Sequence, residues 1–224
     1  MNNSQDQPLR ALGRRSAQQL SGRDALIRAA TRCFADNGFE AASVRAIANM
    51  AGTAPNLITV HFGGKDGLWL ACVETLIEKL GPRLKVLESL NDKVGALSRP
   101  ELRSRLEQIV AMTAAYFDDN PDLRGFIARG GMEPAPRGLI IAERLLQPIY
   151  KKVQPILERA IATGLMAAEH PALLFVTLHA AIGQPDRMAA ALEILAPSFP
   201  SKNLSGQVAR LLSSALLAPE RSGS

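Results

Sequence analysis

The chain has 224 residues, enough for one large or two small domains with a substantial core. It is 47% hydrophobic but only 4% aromatic, and its many Ala and Leu residues favour helices over strands. The net charge of +5 permits nucleic-acid binding, but residues 1–80 hold 9 basic and 7 acidic residues, so the positive charge is not concentrated at the N-terminal end.

Cysteine content and hydropathy exclude two classes of protein. Cys33 and Cys72 are too few to indicate a secreted disulfide scaffold, and Cys33 is expected to be a buried hydrophobe rather than a redox sensor. Residues 1–20 lack the apolar core of a signal peptide, and the longest apolar run, residues 172–183, is too short to span a bilayer. We therefore expect a soluble cytoplasmic protein with no membrane association.

The N-terminal end is predicted to be an arm followed by a helix. Residues 1–20 are polar and contain Arg10, Arg14 and Arg15, which indicates a disordered basic arm. Such an arm either reaches into a minor groove or is merely solvated, and the sequence leaves both open. Residues 21–24 have the form of a capping box and predict a helix that ends at Gly38. Its apolar stripe consists of Leu26, Ala30, Cys33 and Phe34.

Residues 43–60 have the pattern of two short helices around a three-residue turn. Ser43 is a good N-cap for the first helix, Gly52 allows a left-handed turn, and Thr53 is expected to cap the second helix. Helical spacing predicts two inward and two outward residues in that second helix. These are Leu57 and Ile58 inward, and Asn56 and Thr59 outward. Two helices joined by a short Gly-containing turn are either an ordinary helical hairpin or a helix-turn-helix, whose second helix enters the DNA major groove, and this pattern alone leaves both open.

The next segment extends this pattern into a family resemblance. Residues 61–68 lead into a helix predicted over residues 65–80. About forty residues from Leu26 to Leu68 resemble the N-terminal domain of the tetracycline-repressor-like (TetR) family of bacterial transcription regulators. The matching residues are Ala29-Ala30, Phe34, Asn37-Gly38-Phe39, Ser43-Val44-Arg45-Ala46-Ile47-Ala48, Ala51-Gly52, Leu57-Ile58, His61-Phe62 and Lys65-Asp66-Gly67-Leu68.

The resemblance implies roles for individual residues. Asn56 and Thr59 would approach base edges, Arg45 would meet a phosphate, and Lys65 would join free backbone N–H groups of the linker helix in binding one anion. The full set of candidate DNA-binding residues is Ser43, Arg45, Thr53, Asn56, Thr59, His61 and Lys65. Many relatives carry a Tyr pair where this chain has Thr59 and Val60, so phosphate binding is expected to depend more on Arg45, Lys65 and the arm.

Beyond residue 80 the chain is predicted to form amphipathic helices separated by Pro and Gly. A capping box at residues 98–101 starts one helix, and a long helix is predicted over about residues 139–163. Pro148 and Pro155 interrupt the long helix, either curving it around a core or bending it to open a cavity. Large or flexible side chains near the helix breaks are candidates for an effector pocket. They are Met112, Tyr116, Phe126, Met132 and Tyr150. The same side chains also suit an ordinary hydrophobic core, and the sequence leaves both interpretations open.

Two further helices are expected near the C-terminal end, over residues 171–182 and 204–217. The first is apolar nearly all round, and the second has a single apolar stripe. The resemblance implies that two C-terminal helices from each subunit form a four-helix dimer interface. Its candidate residues are Leu174, Leu178, Val208, Leu211, Leu212 and Ala215.

Together these expectations describe an all-α protein in two parts. A helix-turn-helix DNA-binding domain would occupy residues 21–66, and a helical effector-binding and dimerisation domain residues 67–224, with residues 65–80 as the linker helix. The resemblance implies a ligand-responsive regulator, a homodimer that represses from a palindromic operator and is released by a small molecule. The alternative is a helical adaptor of the same fold without DNA binding.

An enzyme is not expected, because GxSxG, Walker and HExxH motifs are absent from the sequence. The three histidines lack metal-ligand spacing with either cysteine, and no metal or cofactor is expected.

Overall fold

Helices form the regular structure of residues 8–199 and 203–217, the part of the chain that this computed structural model describes. The N-terminal helices are α1 (Pro8–Ala41), α2 (Val44–Met50), α3 (Asn56–Phe62) and α4 (Lys65–Ser89). The remaining helices are α5 (Arg99–Asp119), α6 (Pro121–Gly130), α7 (Arg137–Ile141), α8 (Gln147–Ala162), α9 (Pro171–Gly183), α10 (Pro185–Leu195) and α11 (Leu204–Leu216). No strand occurs in the described ranges, where Met166 and Leu217 pair only in an isolated antiparallel bridge. The expected all-α class is therefore confirmed.

The first helix begins earlier than the sequence predicts. Helix α1 starts at Pro8, so residues 8–20, expected as a disordered arm, continue the helix that is predicted to start at residue 21. Residues 1–7 of that arm lie outside the described residues. The predicted stop at Gly38 is confirmed, because Gly38 has φ 77° and breaks the helical geometry three residues before Ala41.

The long helix of residues 137–162 contains the irregularity that its prolines indicate. A π-helical turn, Ala142–Leu146, lies between α7 and α8 and ends two residues before Pro148. Proline lacks the N–H that would bond the carbonyl four residues earlier and its ring crowds that carbonyl, so the helix is wider at this point. The predicted capping box is also confirmed, since Ser98 and Glu101 bond each other's backbone at the start of α5.

One continuous apolar core joins the N-terminal helices to the rest of the protein. Phe126 of α6 is almost completely buried between the rings of Phe34 (6.2 Å, edge-on) and Trp69 (5.7 Å, stacked). Ile47 and Ile58 bury the inner faces of α2 and α3 in this same core. A second cluster lies farther from α2 and α3, between α5, α8 and α9. Helices α1, α4 and α6 thus form the shared base on which α2 and α3 are mounted.

Among the helices of the described ranges, none combines the length and apolar character needed to cross a bilayer.

Candidate nucleic-acid interface and ligand cavity

Helices α2 and α3 form the predicted helix-turn-helix. The Oγ of Ser43 accepts a hydrogen bond from the backbone N–H of Ala46 at 3.4 Å, which caps α2 as expected. Gly52 has φ 64°, the left-handed conformation that the turn requires. Ile47 and Ile58 are fully buried, so both helices are anchored by their inner faces. This anchoring leaves the opposite face of α3 open to a ligand.

Thr53 does not cap α3. The N-cap position is Pro55, without a side-chain cap, and the Thr53 hydroxyl instead donates to the carbonyl of Ala48 at 3.5 Å. The turn therefore places Thr53 against the end of α2, two residues before the N-cap of α3. Its expected capping role is wrong, and its side chain is half-buried.

The outward face of α3 carries the residues expected to read bases. Asn56 and Thr59 are exposed, three residues apart and therefore on one side of the helix. Val60 is 70% exposed beside them, so this face also contains an apolar surface. Ile58 is fully buried as predicted, while Leu57 is half-buried.

Basic side chains flank this face. Arg45 is exposed on α2, and His61 is half-buried with its ring edge-on to Phe62 at 6.0 Å. The guanidinium of Arg23, which is not among the residues predicted from the sequence, lies 5.3 Å from the centre of the Phe62 ring. Arg23 is exposed although it lies three and four residues before the buried Leu26 and Ile27, so helical spacing alone does not single it out, and only the folded chain brings it to the end of α3.

Lys65 does not point its ammonium at the N-terminus of α4. Its Nζ donates to the carbonyl of Glu40 at 3.1 Å and lies 4.5 Å from the centre of the Phe39 ring. The expected convergence of Lys65 and backbone N–H groups on one anion is therefore not formed. The ammonium instead contacts a carbonyl and a ring face from the end of α1, and these contacts connect α1 to the start of α4.

Gly67 lies at the junction of α3 and α4. A Cβ at this position would come within 1.8 Å of the Phe62 carbonyl oxygen, far closer than atoms can approach. The junction therefore requires a residue without a Cβ, because only glycine lets α4 pass this close to the last residue of α3.

An ionic cluster around Arg137 joins α7 to the N-terminal helices. Its guanidinium pairs with Glu40 at 2.7 Å, Asp66 at 3.6 Å and Glu133 at 3.8 Å, and lies 3.7 Å from the centre of the Phe39 ring. Glu133 also accepts a hydrogen bond from the backbone N–H of Phe39 at 2.8 Å. We call these five residues the Arg137 cluster. The cluster thus connects the segment after α6 to the end of α1 and to the start of α4.

A cavity of about 110 Å³ lies between α4, α5, α8, α9 and α11. Aliphatic and aromatic side chains form most of its wall. The polar groups along this wall are Arg83, Thr113, Tyr116, His179 and Ser213. An apolar wall with a few polar groups is typical of a binding site for a small molecule, and at this volume the molecule has to be smaller than the usual ligand of a pocket of about 300–1,000 Å³.

The structure places the five predicted pocket residues in different environments. Tyr116 lines the cavity, and the carbonyl of Met112 accepts a 2.6 Å hydrogen bond from Arg83 beside it. Tyr150 lies behind the wall, with its ring 5.4 Å from Phe175. The other two residues do not line this cavity. Phe126 belongs to the core around Trp69, and Met132 is 53% exposed on the surface.

His179 of α9 is the cavity residue with the most perturbed ionisation. Its ring packs edge-on against Phe117 at 5.4 Å and is tilted against Phe175 at 5.9 Å. Burial lowers the pKa of His179 from 6.5 to about 4, so its imidazole is neutral near pH 7. Burial likewise raises the pKa of the Cys72 thiol to about 12. Cys33 and Cys72 are both buried, as the sequence predicts for Cys33.

The His179 pKa predicts an acid-sensitive fold. The unfolded histidine takes up a proton near pH 6.5 and the folded one only near pH 4, so the full stability is present above pH 6.5 and is lost progressively as the pH falls from 6.5 to about 4. We expect His179→Phe to remove about 2 kcal/mol of the stability difference between pH 7 and pH 5. Urea unfolding at the two pH values measures it.

His170→Asn is the matched control for that measurement. His170 is exposed, and its Nδ1 accepts from the backbone N–H of Ala172 at 3.0 Å, an N-cap bond that asparagine can replace. This variant should keep the pH dependence of the wild type. If His179→Phe and His170→Asn have the same pH dependence, His179 is not the responsible group.

The predicted dimer-interface residues divide between the core and the surface. Leu174 and Val208 are buried within the protomer, so little of their side chains is available to a partner, whereas Leu178 and Leu212 are half-buried and line the cavity. Leu211 is 66% exposed and Ala215 is also exposed. Other large apolar side chains lie exposed on α9 and on the end of α10. They are Leu173, Val176, Ile194 and Leu195.

Among the side chains that the structure describes, no group of three or more His, Cys, Asp or Glu residues is arranged to hold a metal ion.

Comparison with known proteins agrees with the helix-turn-helix geometry. Residues 26–72 match the family described as bacterial regulatory proteins, tetR family. The HTH-type transcriptional dual regulator CecR of Shigella flexneri is 26% identical over 165 residues, which cover 71% of each chain. The HTH-type transcriptional regulator BetI of Brucella anthropi is 37% identical over 87 residues, which cover 39% of this chain and 41% of BetI.

The whole-chain fold also has a solved counterpart. The crystal structure of HlyIIR, a hemolysin II transcriptional regulator, superposes with a TM-score of 0.64 and covers 90% of this chain and 99% of HlyIIR. At 14% sequence identity this likeness concerns the fold.

Proposed function

The chain is a transcriptional regulator of the TetR family, and we propose that it binds a palindromic DNA operator as a homodimer and leaves it when a small molecule binds. The observation that carries the proposal is the face of α3, where Asn56 and Thr59 are exposed at the outer side of an anchored helix-turn-helix. Such a protein would act in the bacterial cytoplasm, where the chromosome lies.

The chemistry of α3 supports sequence reading. Asn56 can bond adenine through two atoms, and the Thr59 hydroxyl can donate or accept at a base edge. A helix of seven residues offers few base contacts, so phosphate contacts must supply much of the affinity. Arg45, Arg23 and His61 flank α3 at positions suited to the two phosphate backbones, whereas Lys65 contributes by holding α4 against α1.

Dimerisation would use the outward sides of the C-terminal helices. Leu173 and Val176 of α9 and Leu211 of α11 are exposed, and α9 packs beside α11. Covering these side chains in a two-fold interface would remove them from water. Two recognition helices about 34–36 Å apart would then meet successive major grooves, which requires a palindromic site. A bound dimer would exclude RNA polymerase, so repression is the proposed default output.

Release needs a contact between the cavity and the DNA-binding helices. Helix α4 supplies cavity residues such as Leu80 and Arg83 and begins directly after α3. The Arg137 cluster provides a second contact, because it links the segment after α6 to the start of α4 and the end of α1. A ligand that binds more tightly to one arrangement of these helices would change the spacing of the two α3 helices.

The salt dependence of DNA binding tests the proposal. We expect the logarithm of the binding constant for a fragment selected from genomic DNA to fall linearly with the logarithm of the salt concentration. Arg45→Ala should reduce the slope by about 1, because it removes one phosphate contact. Asn56→Ala should weaken binding by roughly 10- to 100-fold without changing the slope, because a lost base contact releases no counterion. Fluorescence anisotropy at several salt concentrations measures both.

Lys151→Ala serves as the control, since Lys151 is an exposed lysine on α8, remote in sequence from α2 and α3. Its slope and affinity should equal those of the wild type. Absence of any salt-dependent binding to the selected DNA would favour the helical adaptor instead. An unchanged slope for Arg45→Ala would remove Arg45 from the phosphate-binding set.

A further inference from the structure

The polar groups of the cavity differ in whether the protein already satisfies them. The Thr113 hydroxyl donates to the carbonyl of Ile109 at 2.8 Å. The Arg83 guanidinium donates to the Met112 carbonyl and lies 3.8 Å from the centre of the Tyr116 ring. Both groups are held by neighbours in the wall. Their polar atoms are thus partly committed before any ligand enters.

His179 is different. Its Nε2 is buried from solvent and has no hydrogen-bond partner in the described residues, although its side chain lines the cavity. The rings of Phe117 and Phe175 pack against the imidazole and supply no hydrogen-bond acceptor. A buried polar atom without a partner is destabilising, and such groups in native proteins usually have one. The free partner position is therefore expected to be filled by a molecule in the cavity.

The size and polarity of the cavity limit what that molecule can be. A 110 Å³ space is somewhat smaller than the roughly 150 Å³ cavity that admits benzene in an engineered protein, so about one six-membered ring fits with slight expansion of the wall. The mostly apolar wall disfavours an ionised group, which would lose its hydration. A hydroxyl suits His179 in either neutral tautomer, since it can donate to or accept from Nε2.

We propose that this cavity binds an uncharged, ring-sized apolar molecule carrying one hydroxyl group, with the hydroxyl hydrogen-bonded to Nε2 of His179. The simplest members of this class are phenols. This inference rests on the proposed function for its regulatory meaning, because the same cavity would be the effector site. The bound ring would contact Leu80 and Leu84 of α4, the helix that continues from the DNA-binding part.

Calorimetric titration of the full chain with three probes tests the ligand class without DNA. Phenol, benzene and benzoate share one ring and differ in the polar group. We expect phenol to bind the wild type about threefold to tenfold more tightly than benzene, the range that one hydrogen bond supplies, and benzoate to bind more weakly than phenol. In His179→Phe and in His179→Leu the advantage of phenol over benzene should disappear.

Two variants are used because phenylalanine can fill part of the cavity, whereas leucine leaves the space open. His170→Asn, which alters the exposed histidine, should keep the phenol preference. Equal binding of phenol and benzene by the wild type, tighter binding of benzoate, or a phenol preference that survives in His179→Leu would each overturn the proposal. The proposal would also be overturned if none of the three probes binds.

A separate titration distinguishes this inference from the proposed function. The selected DNA fragment is bound first, and phenol is then added while anisotropy is followed. Phenol that binds by calorimetry but leaves the DNA complex intact supports the ligand class and contradicts the coupling between cavity and operator. Phenol that releases DNA from the wild type but not from His179→Leu supports both.

Discussion

Gly67→Ala is expected to damage both folding and DNA binding. The added methyl group would lie 1.8 Å from the carbonyl oxygen of Phe62, a backbone atom that cannot turn aside as a flexible side chain would. Helix α3 must therefore move relative to α4, and we expect a loss of about 3 kcal/mol in the free energy of unfolding. A displaced α3 also loses its base contacts, so affinity for the selected DNA should fall at least about tenfold.

Gly81→Ala provides the matched control for this prediction. Gly81 lies in the same helix α4, but a Cβ there would have no heavy atom within 4 Å. Alanine is the better helix former, so this variant should be neutral or up to about 1 kcal/mol more stable. Urea unfolding and anisotropy are measured on both variants. If the two alanine variants behave alike, the close packing of α3 on α4 at Gly67 is not required.

Phe126→Ala is expected to destabilise the protein strongly. Its ring is 1% exposed and contacts Phe34 and Trp69, so truncation opens a cavity where the N-terminal helices meet α6. Phenylalanine-to-alanine changes in cores destabilise by about 3–5 kcal/mol. Thermal unfolding followed by circular dichroism should show a correspondingly lower midpoint, with phenol affinity unchanged while the protein remains folded, because Phe126 does not line the cavity.

Met132→Ala is the companion variant, since Met132 follows α6 and is 53% exposed. We expect its free energy of unfolding to match that of the wild type within the range of ordinary surface changes, about 0.5 kcal/mol. The sequence predicts both Phe126 and Met132 in the effector pocket, and the structure separates them. A Phe126→Ala protein of normal stability that no longer binds phenol would restore Phe126 to the pocket and contradict the structure.

The helix-turn-helix is predictable because its signals are local. Ser43 caps a helix that starts one residue later, Gly52 provides the positive φ of the turn, and the 3.6-residue period separates buried Ile58 from exposed Asn56 and Thr59. These features depend on residues within a few positions of one another. The sequence therefore predicts the geometry of the candidate DNA-binding face, apart from the cap expected at Thr53.

Contacts between distant segments are not predictable in the same way. The Lys65 ammonium bonds a carbonyl 25 positions earlier, and Arg23 reaches Phe62 only after α1 and α3 have packed. Helix α9 is apolar nearly all round, so its hydrophobic pattern does not distinguish Leu174, which faces the core, from Leu173, which faces outward. The residues predicted for the pocket and the dimer interface therefore include some that pack in the core, because residue type and spacing do not determine which face packs inward.

The Arg137 cluster should tolerate substitutions of its exposed acids better than substitution of Arg137 itself. Three acids, each from a different segment, share a single cation, and two of them, Glu40 and Asp66, are about 80% exposed at the side chain. Loss of either exposed acid leaves the guanidinium with its remaining ion partners and with the Phe39 ring, so such changes are buffered and their effects are not additive. No similar redundancy protects Arg137, whose replacement releases all three acids at once.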